Sequence, residues 1–262
     1  WTSLKVVQLN ILKHRHKELG QKPLVNSKNI YRMFYLNKKE ARLIVLQRIE
    51  LLSYFVKRIR KIFGRYIFSN FITKYFLNTK TIGKDYYIRM EEELRSFEKY
   101  INSDDVNILS IGGGIGGLEL IINKNFSINL FDFIERNFIS KKVVYGWSDN
   151  NTEAYNNLTI QKNFLIKNGL PISKFKIYDY DKSTLPSKKF DLVISLYSLD
   201  YHYDFNIYLE YLKKNTTNES KIIFDTVRPD YFKKIFKEVI VLSETNKRIH
   251  SSKRLLCKNF LK

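Results

Sequence analysis

The sequence predicts an α/β protein in which a doubly wound, mostly parallel, seven-stranded sheet follows an α-helical N-terminal extension. Three observations predict this fold. Short apolar runs alternate with helical patterns from residue 105 onward, a glycine-rich turn follows the first run, and the basic residues concentrate in the first third of the chain. Such alternation is typical of parallel sheets covered by helices on both faces. We therefore divide the 262 residues into an extension, 1–104, and a sheet domain, 105–262.

The extension is predicted to be helical over residues 28–100. Its clearest pattern is an apolar stripe at the three-and-four spacing of one helical face, with basic residues between the apolar ones. Charged residues interrupt this run too early for a transmembrane span. A further helix is predicted over Met90–Ile101. The stripe consists of Leu52, Phe55, Val56, Ile59, Ile62, Phe63, Tyr66 and Ile67.

The positive charge belongs mainly to the extension. Residues 1–90 hold 20 Lys and Arg but only 4 Asp and Glu, a charge of +16 out of the total of +20. Three roles fit a basic, amphipathic segment: a lid packed on the core, a helix lying on anionic lipid, and a phosphate-binding surface for nucleic acid. We favour the lid, with contact to an anionic membrane surface in addition. Nucleic acid is disfavoured because no RNA-binding motif is recognisable.

Seven strands and four helices are predicted for the sheet domain. The fourth strand is almost entirely apolar inside, as expected for a strand buried on both faces. Gly169 is typical of the residue that ends a helix. The predicted strands are Asn107–Ile111, Ile128–Phe133, Phe175–Tyr178, Phe190–Leu196, Lys221–Asp225, Val239–Ser243 and Arg254–Cys257. The predicted helices are Leu118–Asn123, Glu153–Asn168, Phe205–Lys214 and Tyr231–Glu238.

The turn between the first strand and the first helix is rich in glycine from Gly112 to Gly117. Glycine suits a tight turn where the backbone must approach a ligand without an intervening Cβ. The spacing satisfies both GxGxxG, the pattern of dinucleotide-binding turns, and GxGxG, the pattern of methyltransferases. Asp132, at the end of the second predicted strand, could hold a ribose hydroxyl in either case. The turn alone leaves both classes open.

Later segments resemble class I S-adenosylmethionine-dependent methyltransferases, which have a Rossmann-like core. The resemblance covers roughly residues 105–228 and is carried by Lys167–Leu170, Asp181–Pro186 and Phe190–Ser195. It implies S-adenosyl-L-methionine as methyl donor and S-adenosyl-L-homocysteine as product. The glycine turn would face the methionine part, Asp132 the ribose and Asp181 the adenine. The cofactor-binding residues implied are Ser110, Gly112, Gly113, Gly114, Gly116, Asp132, Asp181 and Ser195.

The chain departs from this family at Ser110, where an acidic residue is usual. Two elements also resemble poorly characterised bacterial methyltransferases, some of them described as sugar O-methyltransferases. These are Tyr145-Gly-Trp147 with Tyr155–Leu158, and the pair His202-Tyr203. The resemblance implies O-methylation of a small molecule, or of a sugar or glycan precursor. The substrate residues we predict are Tyr145, Trp147, Tyr201, Tyr203 and Arg228.

Methyl transfer to a hydroxyl needs a base, and two residues after the fourth strand are candidates. His202 is the first choice because histidine titrates near neutral pH, and Asp200 is the second. A packed histidine and a surface carboxylate are the alternatives. An RNA methyltransferase and an NAD-dependent oxidoreductase remain alternative functions. Cys257 is the only cysteine, which favours a reducing, cytoplasmic location, and no spacing indicates a metal site.

Overall fold

The fold is built on one seven-stranded sheet. The computed structural model describes residues 32–52, 54–58, 68, 71, 73–102, 105, 107–139, 154–243 and 252–261. The strands are β1 (Asn107–Ile111), β2 (Leu130–Glu135), β3 (Phe175–Asp179), β4 (Leu192–Ser195), β5 (Lys221–Thr226), β6 (Phe236–Ser243) and β7 (Lys253–Phe260). Their order is β3-β2-β1-β4-β5-β7-β6. The first five are parallel and β7 runs antiparallel to both neighbours, which confirms the predicted mostly parallel sheet.

Helices flank the sheet, and asparagine caps three of them. Asn37, Asn78 and Asn157 each accept a hydrogen bond from a backbone amide in the first turn that follows, which satisfies a donor the helix itself leaves unpaired. None of the described helices is long and apolar enough to cross a bilayer. The helices are α1 (Lys38–Gln47), α2 (Thr79–Arg95), α3 (Gly117–Asn125), α4 (Leu158–Lys167), α5 (Asn206–Asn215) and α6 (Pro229–Phe232).

Three predicted helices differ from the observed ones. The caps at Asn78 and Asn157 explain two of the differences, because α2 begins well before Met90 and α4 begins after Glu153. The predicted helix Tyr231–Glu238 is wrong beyond its first turn. Its second half belongs to β6, where Phe236 stacks on Phe260 of β7 with ring centroids 4.3 Å apart.

Two apolar clusters lie on the two faces of the sheet, because neighbouring residues of a strand point to opposite sides. In β1, Ile108 joins the cluster that contains α1 and α2, whereas Leu109 joins the cluster that contains α5 and α6. The described helices of the extension therefore share a core with the sheet. Phe55 was predicted on the apolar stripe, but its side chain is 71% exposed, whereas Leu52 is buried and Val56 packs against the core. The other members of the stripe lie outside the described residues: Ile59, Ile62, Phe63, Tyr66 and Ile67.

Candidate active site

The turn after β1 has backbone conformations that favour glycine. Gly112, Gly114 and Gly116 have φ of 63°, 67° and 89°, a region that residues with a Cβ rarely adopt. Helix α3 begins at Gly117, so its first unpaired amides lie next to the turn. The predicted order of strand, glycine turn and helix is confirmed. Contact of Gly112, Gly113, Gly114 and Gly116 with a cofactor stays a prediction.

The glycine turn is packed against two other parts of the chain. A Cβ on Gly112 would overlap Ser198, which follows β4, and a Cβ on Gly114 would lie 2.5 Å from Oε1 of Gln47. Gln47 is the last residue of α1, and its Nε2 also donates to the carbonyl of Tyr155 at 2.7 Å. The N-terminal extension therefore reaches the turn directly through α1.

A buried carboxylate lies beneath the turn beside Ser110. The hydroxyl of Ser110 donates to Oε1 of Glu119 at 2.5 Å, and both side chains are buried. Burial raises the pKa of Glu119 to about 7. Glu119 comes from α3 and was not among the predicted site residues. The sequence did offer a signal for Glu119. The family that the chain resembles usually has an acid at the position of Ser110, and Glu119 in the helix that follows is the carboxylate that contacts Ser110 instead.

A second buried carboxylate, Glu135, ends β2 at the same edge of the sheet. The register pairs Ile134 with Ile111, which places Glu135 level with the start of the glycine turn. Burial raises its pKa to about 8, although the Asn156 side chain and the amides of Gly113 and Gly114 favour its ionised form. Its Oε1 is buried and has no hydrogen-bond partner among the described residues.

Asp132 does not lie at the end of β2, contrary to the prediction. It pairs in register with Leu109, in the middle of β1, three residues before the end of its own strand. Its carboxylate is buried 2.5 Å from Nζ of Lys188. Because a buried carboxylate needs such a cation, the contact assigns Asp132 a structural role. Glu135 occupies the strand-end position that the prediction gave to Asp132.

An open cleft lies at this edge, between the glycine turn and the loops after β2, β3 and β4. On its β3 side the guanidinium of Arg136 stacks on Tyr180, 5.0 Å from the ring centroid, and pairs with Asp181 at 3.4 Å. The sequence-predicted Asp181 therefore lies beside the cleft, partly exposed. The lining residues are Ile111, Gly112, Ile134, Glu135, Arg136, Tyr180, Tyr203, Ile207 and Tyr208.

Ser195, at the end of β4, uses its hydroxyl to fasten the strand ends together. Its Oγ donates to the carbonyl of Ile111 at 2.7 Å and accepts from the amide of Leu199 at 2.9 Å. Both contacts are buried, and they fix the loop after β4 against the end of β1. Ser195 thus shapes the cleft from behind, whereas we predicted it as a cofactor contact.

Asp200 and Arg228 bind each other. The Asp200 carboxylate has no exposed surface and accepts hydrogen bonds from Nη2 of Arg228 at 2.5 Å and from Oγ1 of Thr226 at 2.5 Å. Arg228 also pairs with Asp204 at 3.0 Å. Burial and the pairing with Arg228 count against the predicted use of Asp200 as a base, which stays a prediction. The same pairing engages the guanidinium that was predicted to bind substrate.

His202 lies on a tight turn after β4, where the amides of Tyr201 and His202 both donate to the carbonyl of Ser198. Its imidazole is half-buried and meets the ring of Tyr201 edge-on, with centroids 5.1 Å apart. The turn separates the predicted residues. Tyr203 lines the cleft beside Gly112, whereas His202 and Tyr201 are not among its lining residues.

A buried ionic network that sequence reasoning missed joins the extension to the loop after β4. Arg254 of β7 is fully buried and binds Asp225 of β5 at 2.9 Å and Glu93 of α2 at 2.7 Å. Tyr197, directly after β4, lies near two guanidinium groups, those of Arg254 and Arg48, at 5.7 Å and 5.2 Å from its ring centroid. The loop after β4 is therefore held by Arg48, directly after α1, and by α2 as well as by the sheet.

Two predicted substrate residues, Tyr145 and Trp147, lie outside the described residues. Within the described ranges, no group of three histidine, cysteine or acidic side chains could hold a metal ion.

Known proteins give distant likenesses only. No protein-family model matches the chain, and no curated protein matches it. Among solved structures it is similar to a ribosomal protein L11 methylase of Lactobacillus delbrueckii, at 13% identity and a TM-score of 0.44 over 66% of this chain and 80% of that one. It is also similar to mitomycin 7-O-methyltransferase, at 12% identity and a TM-score of 0.44 over 68% of this chain and 55% of that one. The m1A22 tRNA methyltransferase of Bacillus subtilis has 14% identity and a TM-score of 0.42 over 63% of this chain and 64% of that one.

Proposed function

We propose that the chain is an S-adenosylmethionine-dependent methyltransferase. The observation that carries the proposal is the position of β7, antiparallel between β5 and β6. In the dinucleotide-binding fold the order is 3-2-1-4-5-6, with the sixth strand directly beside the fifth. The seven-stranded core that the resemblance implies fits this sheet, whereas the NAD-dependent alternative does not. The glycine turn, which both classes share, then belongs to a methyltransferase.

The residues at the cleft fit the proposed cofactor. The glycine turn would take the methionine part, and Arg136, Tyr180 and Asp181 would surround the adenine. Glu135 would accept hydrogen bonds from the ribose hydroxyls, because Glu135 is a lining residue of the cleft and its buried Oε1 has no hydrogen-bond partner among the described residues. Ligands of open α/β sheets bind beyond the carboxyl ends of the strands, which is where all these residues lie.

The proposed chemistry is methylation of a hydroxyl on a small molecule or on a sugar or glycan precursor. When bound, S-adenosylmethionine supplies an activated methyl group on its sulfonium. The chain would then contribute alignment of the acceptor and a base for its proton. We propose His202 as the base, because it lies on the turn directly before Tyr203, which lines the cleft, whereas Asp200 is held by Arg228. An RNA acceptor is the second candidate, supported by the charge of +16 on residues 1–90.

Transfer of a labelled methyl group tests the proposal. The full chain would be incubated with methyl-labelled S-adenosylmethionine and separate pools of sugars, nucleotide sugars, small hydroxylated molecules and RNA. We expect label in a hydroxyl-bearing small molecule and not in RNA. His202→Ala should lower turnover by about 10²–10⁴-fold, with S-adenosylhomocysteine affinity unchanged. Label in RNA alone would replace the small-molecule acceptor, and normal turnover in His202→Ala would remove this residue as base.

A further inference from the structure

Aromatic side chains are exposed in two short parts of the extension. Tyr54 and Phe55 are 74% and 71% exposed, and Phe71, Tyr75 and Phe76 are between 52% and 65% exposed. Single exposed apolar residues are ordinary on protein surfaces, but a concentration of large rings marks an interaction site. These five rings lie within 23 residues of sequence.

Both groups of rings are attached to the same part of the fold. Nζ of Lys57 donates to the carbonyl of Glu50, just past the end of α1, and Nε of Arg42 in α1 donates to Oγ1 of Thr73. Both groups are therefore anchored to α1 or to the residues directly after it.

The segment that carries the rings is basic. Residues 54–76 contain six Lys and Arg and no Asp or Glu. Arg58 and Lys74 are exposed, and the Arg58 guanidinium lies 5.5 Å from the ring centroid of Tyr54. A partner must therefore be both apolar and anionic. A second copy of the chain is a poor partner, because each copy carries a net charge of +20 and the two would repel.

We propose that these exposed rings and cations form a surface that binds anionic lipid bilayers; its members are Tyr54, Phe55, Arg58, Phe71, Lys74, Tyr75 and Phe76. Aromatic side chains enter the boundary between headgroups and acyl chains, while Lys and Arg pair with lipid phosphates.

The arrangement of the rings favours lipid over nucleic acid. Phe71 meets Tyr75 and Phe76 at centroid distances of 5.3 and 5.7 Å, with planes tilted by 59° and 52°. The three rings thus form a compact apolar cluster. In proteins that bind single-stranded nucleic acid, successive bases stack on the open faces of aromatic rings that are spaced along the path of the nucleic acid. A tilted cluster offers an apolar surface and few free faces.

Co-sedimentation of the full chain with vesicles tests this surface. We expect binding to phosphatidylcholine vesicles that contain phosphatidylglycerol, weaker binding to phosphatidylcholine alone, and a decrease as salt rises. Arg58→Glu with Lys74→Glu should weaken partitioning by at least about tenfold, since each cation near an anionic membrane contributes to binding. The matched control is Lys234→Glu with Lys237→Glu, which makes the same charge change at exposed positions in and before β6.

A triple variant, Phe71→Ser, Tyr75→Ser and Phe76→Ser, tests the apolar part of the surface, and Ile172→Ser is its exposed control. We expect weaker vesicle binding in the triple variant only, with circular dichroism unchanged. If the triple variant misfolds, the charge variants still test the surface. Equal losses in the two charge variants, or no vesicle binding at all, would overturn the proposal. Binding of a single-stranded oligonucleotide that depends on Arg58 and Lys74, without vesicle binding, would assign the surface to nucleic acid.

Discussion

Cofactor affinity should depend on pH through Glu135. Its carboxyl is buried at the cleft with a pKa of about 8, so about one tenth of the molecules carry it ionised at about pH 7. Ribose hydroxyls donate hydrogen bonds, and the ionised carboxylate is the better acceptor. Ligand binding should therefore favour the deprotonated form and release a proton.

The size of the effect follows from the fraction of competent protein. The apparent Kd is the intrinsic value divided by the ionised fraction of Glu135. That fraction is about 0.9 at about pH 9 and about 0.01 at about pH 6, so the affinity for S-adenosylhomocysteine should fall by about 90-fold over this range. Isothermal titration calorimetry in buffers of different ionisation enthalpy would measure both the affinity and the released proton.

Glu135→Gln is the control for this prediction. The variant keeps the size of the side chain but cannot ionise, so this part of the pH dependence should disappear. If the variant retained the full pH dependence of the wild-type chain, or if wild-type affinity were constant with pH, Glu135 would not be the ribose-binding carboxylate.

Three stability predictions follow from the buried charges, each measured by urea denaturation. Because the pKa of Glu119 is raised in the folded state, the wild-type chain should lose about 3 kcal/mol of unfolding free energy as pH rises from about 4.5 through about 7. Glu119→Gln should not show this loss, and a difference between the two proteins that does not change with pH would contradict the prediction. Arg254→Met should cost about 3–5 kcal/mol, since the buried Asp225 loses its cation and Glu93 retains Arg48 at 3.6 Å; a loss below about 1 kcal/mol would refute it. Lys188→Met should destabilise the chain by removing the cation beside the buried Asp132, yet preserve S-adenosylhomocysteine affinity; weaker ligand binding would show that Asp132 contributes to the cofactor site.

The sheet could be predicted from the sequence because its signals are local. Apolar runs predicted all seven strands to within a few residues. The glycine-rich segment predicted a tight turn, and Gly112, Gly114 and Gly116 have the positive φ angles that such a turn requires. The strand end at β2 was placed too early. Ile134 is the last apolar residue before Glu135-Arg136-Asn137, so polarity marks the end, and Asp132 is an exception held inside by Lys188.

The site's buried charges could not be predicted, because their partners are distant in sequence. Arg254 pairs with Glu93 of α2, which lies 161 residues earlier in the sequence. Asp200, after β4, pairs with Arg228, which lies 28 residues later, after β5. A carboxylate after a strand looks the same in sequence whether it faces an acceptor or an arginine. Only the fold shows that Asp200 is already paired, which leaves His202 as the base in the proposed reaction.

Ligand preference tests the central claim most directly. Calorimetry of the full chain with S-adenosylhomocysteine and, separately, with NAD would compare the two cofactors at the glycine turn. We predict binding of S-adenosylhomocysteine and none of NAD. We also predict that Gly114→Val abolishes binding, because φ of 67° is unfavourable for valine and its side chain would collide with Gln47. Binding of NAD without S-adenosylhomocysteine would contradict the assignment of this sheet to a methyltransferase.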